Sequence, residues 1–254
     1  MNRNEPVAAI LTALRVEAEA AEERLTNGKE HIIQGLRFAT GLMGGKPCVV
    51  AQSGVGKVNA AMAATLLIEH FKPRKVICMG AGGGVNPSLF PGDIVIAEKT
   101  VQHDYGILKL DGFRVWQTWS PVNGGKNPLF IPADTRLLEL AEMAACRVEL
   151  PKVKTDGIDR TPNIIKGVIA TGDVVVMAQS KRTELREDFK ADAIDMEGAA
   201  VAQVCRQLGV AGLIIRSISD TDENIDWDIM KVNLKIASQN AARLVIAIVD
   251  EIST

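Results

Sequence analysis

The chain has 254 residues, of which 47% are hydrophobic and 24% charged, and its formal net charge is −2. This is the composition of an ordinary globular protein, and Lys and Arg are spread along the chain, which excludes the basic footprint of a nucleic-acid-binding protein. No apolar run reaches the roughly 18 residues that a bilayer-spanning helix requires, and residues 1–6 lack the apolar core of a signal peptide. We therefore predict one cytoplasmic domain over residues 1–254 that acts on a small molecule, without a nucleic-acid or membrane partner.

The first half of the chain alternates apolar runs with segments of helical periodicity. A strand is predicted at residues 7–11 and a helix at 16–25, where charges recur at helical spacing. The turn-forming residues 43–46 join two further strands in a meander. These and the remaining elements of this half are strands at 31–38, 47–52, 75–79 and 93–97 and a helix at 58–70.

The second half opens with residues 105–132, a long segment of weak periodicity that we expect to be a loop, and such loops are usually functional or mobile. It is followed by helices at 134–147, 198–208 and 227–252 and by strands at 166–170, 193–195 and 211–215. Strands that alternate with helices predict a mostly parallel sheet covered by helices, with antiparallel members from the early meander.

Two glycine-rich motifs are similar to phosphate-binding signatures but fail their spacing. Gly80-Ala81-Gly82-Gly83-Gly84 is followed by Val85, where the dinucleotide fingerprint requires its third glycine. Gly54-Val55-Gly56-Lys57 lacks both the earlier glycine of a P-loop and the hydroxyl residue after the lysine. Both motifs are expected to be turns after strands, which in open α/β sheets either line the ligand crevice or simply reverse the chain.

Several acidic residues lie near the ends of predicted strands, where a carboxylate can face a crevice on a rigid backbone. Cleavage of a glycosidic bond requires an acid for the leaving group, a negative charge beside the oxocarbenium-like sugar and a base for water. Carboxyls can supply all three, and burial raises the pKa of the one that acts as acid. A helix cap or a solvated charge is the alternative for each. The candidates are Glu17, Asp173, Asp195, Glu197, Asp220 and Asp222.

Histidines and cysteines show no metal-site spacing. Among the histidines only His103, beside Asp104 and the long 105–132 segment, is a candidate site residue. The four cysteines form neither a CxxC pair nor a disulfide framework, so we predict buried thiols and no bound metal.

A series of short segments, spread over nearly the whole chain, carries the strongest signal. They are Leu11-Thr12-Ala13-Leu14-Arg15-Val16-Glu17, Gln52-Ser53-Gly54-Val55-Gly56-Lys57, Met79-Gly80-Ala81-Gly82-Gly83, Pro91-Gly92-Asp93-Ile94-Val95, Gln102-His103-Asp104, Thr171-Gly172-Asp173, Asp195-Met196-Glu197-Gly198-Ala199-Ala200-Val201-Ala202 and Ile215-Arg216-Ser217-Ile218-Ser219-Asp220. In this order they resemble the nucleoside phosphorylase and nucleosidase superfamily and, within it, the methylthioadenosine/S-adenosylhomocysteine nucleosidases. The last two segments are the most specific.

The resemblance implies a three-layer α/β/α sandwich around a mixed, mostly parallel sheet, a homodimer, and no metal or organic cofactor. Asp220 matches the general acid that protonates the purine at N7. Glu197 matches the residue that binds the ribose hydroxyls and stabilises the cationic sugar, and Glu17 matches the base that activates water. The substrate-binding positions that the resemblance implies are Val55, Ala81, Gly82, Val175, Val176, Met196, Arg216, Ser219 and Trp227.

Some positions depart from the pattern of these nucleosidases. Val175 stands where many have an aromatic residue that stacks on the base, and Ala81 stands where the family often has Ser or Thr beside the water or phosphate. Trp227 matches, three residues early, a Phe from a segment that closes over the substrate. The 105–132 segment faces the 5′-substituent in the family and differs in detail, so the substrate is expected to differ at that end.

Glu17 favours water over phosphate as the nucleophile, because phosphorylases of this fold need an anion site where nucleosidases have a carboxylate. The Gly-Asp-Pro-x-x-Arg phosphorylase signature is absent, although Arg15 and Arg216 remain candidates for holding phosphate. The expected function is hydrolysis of an adenine nucleoside, similar to methylthioadenosine or S-adenosylhomocysteine, to adenine and a ribose derivative. The alternatives are a phosphate-dependent purine nucleoside phosphorylase and a catalytically silent nucleoside-binding protein.

Overall fold

The computed structural model describes residues 6–155, 158–221 and 227–253, in which strands and helices alternate along the chain. The strands are β1 (Ala8–Thr12), β2 (Thr26–Ile33), β3 (Leu36–Met43), β4 (Lys46–Gln52), β5 (Lys75–Gly84), β6 (Ile94–Gln102), β7 (Gly106–Lys109), β8 (Gly112–Val115), β9 (Phe130–Pro132), β10 (Val153–Thr155), β11 (Ile158–Arg160), β12 (Ile164–Thr171), β13 (Ala191–Asp195) and β14 (Ala211–Asp220). The helices are α1 (Arg15–Glu22), α2 (Lys57–Phe71), α3 (Thr135–Ala145), α4 (Gln179–Phe189), α5 (Gly198–Leu208) and α6 (Trp227–Glu251).

Ten of the strands form one mixed sheet with the order β13-β12-β6-β14-β5-β1-β4-β3-β2 and with β9 paired to β6. The pairs around β1, the β5–β14 pair and the β6–β12–β13 run are parallel. The β2–β3–β4 meander and the β6–β14 pair are antiparallel. The sheet also curls back on itself, because the end of β5 pairs with β13.

Helices cover both faces of this sheet, because its central strands are apolar on both sides. Successive side chains of a strand point to opposite faces. In β5, Ile77 and Met79 join the core under α1, α3 and α6, whereas Val76 and Cys78 join the core under α2 and α5. The prediction of a three-layer α/β/α fold around a mixed sheet is thereby confirmed. None of the described helices is long and apolar enough to cross a membrane.

The predicted strand at residues 31–38 is wrong, because that run contains a hairpin turn. Gln34 and Gly35 both have positive φ angles, 50° and 79°, and Ile33 pairs with Leu36 across the turn. Two consecutive residues of positive φ suit the right-handed twist of a two-residue hairpin. The turn interrupts an otherwise apolar run, and a single glycine is its only signal in the sequence.

Neither α4 nor the β7–β8 hairpin is predicted from the sequence pattern. In α4 only Arg182 and Leu185 are buried, so the helix has no apolar stripe to identify it. The β7–β8 hairpin lies within residues 105–132, and all four residues of β7 are exposed. The segment expected to be a loop therefore contains regular structure.

The glycines of residues 80–84 extend β5 instead of forming the expected turn. A Cβ atom at Gly82 would lie 2.9 Å from the main-chain oxygen of Ile194, and one at Gly83 would lie 3.0 Å from the side chain of Ile194. A contact of 2.9 Å is closer than real Cβ atoms pack and one of 3.0 Å is tighter than most of them show, so glycine allows β13 to approach β5 and close the sheet. Elsewhere, three of the four free cysteines are buried as predicted, but Cys146 is exposed.

Candidate active site

A cavity of about 230 Å³ opens where β1, β5, β13 and β14 end. The carboxyl ends of parallel strands meet at one edge of an α/β sheet, which is where ligands bind in such folds. Ten of the twelve residues that the sequence assigns to the site line this cavity, namely Glu17, Val55, Ala81, Gly82, Val175, Val176, Met196, Glu197, Ser219 and Asp220. The strands therefore bring together residues that are up to 203 positions apart, from Glu17 to Asp220.

Glu17 is placed by the start of α1 and is only 2% exposed. Its Oε2 accepts the N–H groups of Ala13 and Leu14, both at 2.9 Å, and its Oε1 accepts the N–H of Ala81 at 2.8 Å. A Cβ atom at Gly80 would lie 2.5 Å from Oε1, so glycine makes room for the carboxyl. Burial raises the pKa of Glu17, and the nearby Arg216 and the three N–H groups only partly oppose this shift.

Glu197 lies between β13 and α5, opposite the glycine turn that precedes α2. Its Oε1 accepts the N–H of Gly56 at 2.9 Å, and its Oε2 accepts from Arg216 at 3.3 Å. Burial raises the pKa of Glu197 to about 7, Arg216 opposes the rise, and the negative charges of Asp195 and Glu17 add to it.

Arg216 lies beneath the cavity floor and is not among the lining residues. It is 1% exposed, and its Nε donates to Asp195 Oδ2 at 2.7 Å. Asp195 is held further by Thr171, whose hydroxyl donates to Oδ1 at 2.5 Å, and by the N–H of Gly198. The resemblance implies a direct contact of Arg216 with the substrate, but this arginine is outside the lining and instead contacts Asp195 and Glu197, which do line the cavity.

Asp220 ends β14, where its backbone pairs with Gly83 of β5. Its Oδ1 accepts from the hydroxyl of Ser219 at 2.7 Å, and its Oδ2 is ion-paired with Arg182 of α4. Arg182 also lines the cavity. The sequence did not single it out, because it lies in a charged helix without an apolar stripe.

Apolar side chains form the rest of the wall. Val174, Val175 and Val176 follow β12, and Met230 and Leu234 come from α6. The sequence does not identify Met230 and Leu234 as site residues, because their spacing indicates one face of a helix but not what that face contacts. Trp227 shares that face one turn earlier, but it is 70% exposed and outside the lining, since α6 begins beyond the rim of the cavity.

The other acidic candidates and His103 have different environments. Asp173 accepts the N–H of Lys57 at 2.8 Å, next to the start of α2, as a helix cap would. His103 is buried away from the cavity lining, and its Nε2 has no hydrogen-bond partner among the described residues. Asp222 lies outside the described residues. No cluster of three potential metal ligands occurs within the described part of the chain.

The cavity has more acidic than basic side chains, and this excess favours a ligand that carries or develops positive charge. Asp220 is paired with Arg182, whereas Asp195 and Glu197 share the single charge of Arg216, and Glu17 has no ion-pair partner among the described residues. Buried carboxylates without a full counter-charge are costly to ionise, as the raised pKa values indicate. A ligand that develops positive charge between these two carboxylates would supply the missing partner.

Residues 7–250 match the model of a family described as the phosphorylase superfamily. The chain belongs to this superfamily. It is 38% identical over 242 residues to a 5′-methylthioadenosine/S-adenosylhomocysteine nucleosidase of Geobacillus kaustophilus, a match that covers 94% of this chain and 95% of the relative.

Solved structures agree with this assignment. The nucleosidase of Neisseria meningitidis in complex with methylthio-immucillin-A has a TM-score of 0.81 and 33% identity, covering 95% of this chain and 97% of its own. Futalosine hydrolase of Helicobacter pylori has a TM-score of 0.80 and 31% identity, covering 96% of this chain and 97% of its own. The fold of this chain is thus shared by hydrolases that are named for different substrates.

Proposed function

We propose that this protein hydrolyses the N-glycosidic bond of an adenine nucleoside of the methylthioadenosine or S-adenosylhomocysteine kind, releasing adenine and a ribose derivative. The observation that carries the proposal is the pair of buried carboxyls, Glu17 and Glu197, beside an ion-paired Asp220 in one cavity. The named activity of the relatives with 38% and 33% identity supports the same reaction.

Each of the three carboxyls has one task in this proposal. Asp220 donates a proton to N7 of the purine, so that the base leaves as a neutral molecule. Glu197 binds the ribose hydroxyls and stabilises the positive charge that develops on the sugar. Glu17 takes a proton from the water that attacks C1′, and its raised pKa makes it a stronger base than an exposed glutamate.

Water is favoured over phosphate because the cavity has an excess of negative charge. Arg182 is bound to Asp220, and Arg216 is bound to Asp195 and Glu197, so neither guanidinium is free to hold an anion. A phosphate would have to approach Glu17, which has no ion-pair partner among the described residues, and Glu197, which shares Arg216 with Asp195. These side chains supply the acid, the base and the counter-charge, so the proposed reaction needs no metal or organic cofactor.

The test is release of adenine from methylthioadenosine by purified protein, with and without phosphate in the buffer. Equal rates in both buffers are expected. An absolute requirement for phosphate would make the protein a phosphorylase, and binding without turnover would make it a nucleoside-binding protein. A panel of nucleosides that vary at the 5′ position would then define the substrate, for which Val175 and the 105–132 segment are the departures to examine.

We further propose that residues 1–254 act as one cytoplasmic domain and that two copies form a homodimer. Ten of the described strands, including the first, β1, and the last, β14, belong to one sheet, which supports one domain. Large apolar side chains are exposed on the β7–β8 hairpin, at Leu108 and Leu110, and near the cavity at Val58 and Val175. Exposed apolar surface of this kind often marks an interface between proteins.

A further inference from the structure

Arg182 is a charged side chain in a place where charges are rarely found. It is 2% exposed, although it comes from the first turn of the otherwise charged helix α4. A buried guanidinium is tolerated only when its donors are satisfied, and here its Nε donates to the carbonyl of Val176 and its Nη1 to that of Gly84, both at 3.0 Å. The rigid fork of an arginine then fixes the direction of Nη2.

Nη2 is directed at the proposed acid. It donates to Asp220 Oδ2, while Nη1 also approaches the main-chain oxygen of Asp220 at 3.4 Å. On its other side, the carboxyl accepts the hydroxyl of Ser219 through Oδ1. Both oxygens of Asp220 are therefore held, one by a permanent charge and one by a hydroxyl that can rotate.

We propose that Arg182 is the positioning residue for Asp220, fixing Oδ2 so that Oδ1 carries the proton that is delivered to the purine. This inference rests on the proposed function. It assigns a role to a side chain that reaches the reaction only through Asp220.

The two oxygens differ because their partners differ. A proton on Oδ2 would weaken the acceptor that holds Arg182, and the guanidinium cannot accept a hydrogen bond in exchange. A proton on Oδ1 costs less, because the Ser219 hydroxyl can turn to the carbonyl of Gly82, which lies 3.3 Å away. Oδ1 is therefore the oxygen that can hold the proton and release it.

The proton then moves from Asp220 to the purine. The O–H bond at Oδ1 breaks and an N7–H bond forms, while the electrons of the C1′–N9 bond move into the purine ring. The aspartate left behind is stabilised by the charge of Arg182 and by Ser219, which turns its hydrogen back to Oδ1. Because an ionised partner makes a stronger hydrogen bond, Arg182 binds Asp220 more tightly after the transfer than before it.

The experiment compares two leaving groups in matched variants. Methylthioadenosine needs a proton at N7, whereas the same 5′-methylthioribose carrying 4-nitrophenol needs none, because its phenolate is stabilised by the nitro group. The variants are Arg182→Met, Arg182→Lys and Asp220→Asn. The control is Arg186→Met, which breaks an arginine–aspartate pair with Asp192 one helical turn further along α4.

If Arg182 positions the acid, Arg182→Met loses about 10²-fold in kcat/KM for methylthioadenosine, the size expected for a misplaced catalytic group. The kcat/KM of Arg182→Met for the 4-nitrophenyl riboside changes less than about 3-fold. For methylthioadenosine, the kcat/KM of Arg182→Lys lies between those of Arg182→Met and the wild type. Arg186→Met has the kcat/KM of the wild type on both substrates. In the Asp220→Asn background, Arg182→Met adds little further loss, since both changes affect one step.

Equal losses on both substrates, or full activity on methylthioadenosine in Arg182→Met, would overturn the inference. If thermal denaturation shows that Arg182→Met does not fold, Arg182→Lys replaces it in the test. Its loss in kcat/KM for methylthioadenosine must then exceed its loss for the 4-nitrophenyl riboside. A wild type that releases adenine but no 4-nitrophenolate also counts against it. Failure of the proposed function is distinct, because then the wild type releases no adenine from methylthioadenosine.

Discussion

At the scale of single residues, the site works by giving chemically similar groups different surroundings. Asp220 is paired with an arginine, Glu197 shares Arg216 with Asp195, and Glu17 is surrounded mainly by backbone N–H groups. When neighbouring carboxyls have different environments, one can act as an acid and another as a base in the same site.

Glu17→Gln is expected to lower kcat for methylthioadenosine by about 10²-fold or more, because the amide cannot take a proton from water. Steady-state kinetics of adenine release measure the loss, and circular dichroism checks that the variant folds. Asp173→Asn, which alters a carboxyl outside the cavity, is the matched control. Near-normal hydrolysis by the Glu17 variant would remove this residue as the base.

Activity and stability are expected to depend on pH in opposite directions. The pKa of Glu197 is raised from 4.5 to about 7, and kcat/KM should rise with pH towards 7 as this group ionises. The folded chain holds this proton more tightly than the unfolded chain, so the contribution of Glu197 to the unfolding free energy falls as pH rises from 4.5 to about 7.

Glu197→Gln tests the stability half of this expectation, because an amide does not titrate. The fall in Tm between pH 5 and pH 8 should be smaller in the variant than in the wild type, as measured by scanning calorimetry. An equal fall in both proteins would show that Glu197 does not ionise at a raised pKa. The pH profile of kcat/KM for the wild type tests the activity half.

At the scale of elements, the site depends on how closely β5 approaches its neighbours. The glycines of β5 leave space for the carboxyl of Glu17 on one side and for β13 on the other. The end of β5 therefore provides the N–H of Ala81, which donates to Glu17, and its glycines leave the space that this carboxyl occupies.

Gly80→Ala tests this packing, since the new methyl group would meet Glu17 Oε1 at 2.5 Å. The variant should lose about 1–3 kcal/mol of unfolding free energy, as overpacked cores do, and should also lose activity, because Glu17 must move. Urea denaturation and adenine release measure the two effects. Gly28→Ala is the control, because the added methyl there meets only an ordinary contact at 3.8 Å. A Gly80 variant with unchanged stability and turnover would contradict this account of the strand.

At the scale of the whole molecule, the curled sheet gathers distant segments at one edge and leaves the β7–β8 hairpin exposed. Its apolar side chains, among them Leu108 and Leu110, have no covering among the described residues. The proposed homodimer gives this surface a partner.

Leu110→Asp is expected to shift the protein from dimer towards monomer, because a charge in an apolar interface loses its hydration without gaining a partner. Sedimentation velocity measures the change. Ile32→Asp, which places the same charge on an exposed residue of the distant edge strand β2, should leave the assembly intact. A wild type that sediments as a monomer would contradict the homodimer itself.

The sequence by itself determined the layered α/β fold and the candidate carboxyls, because apolar runs and strand-end motifs are local patterns. It also placed α5 and the strands β1, β4, β12 and β13 within a few residues. It failed where local patterns were weak, at the Gln34-Gly35 turn and at the charged helix α4.

Only the tertiary structure decided which charges meet. Burial and ion pairing depend on residues far apart in the chain, such as Arg182 and Asp220 or Glu17 and Ala81, whose contacts no local pattern encodes. The same holds for the closure of β5 on β13, for the place of Arg216 beneath the carboxylates, and for the position of Trp227 beyond the rim. The chemistry of each group was readable from its type, but its partner, and hence its charge, was set by the fold.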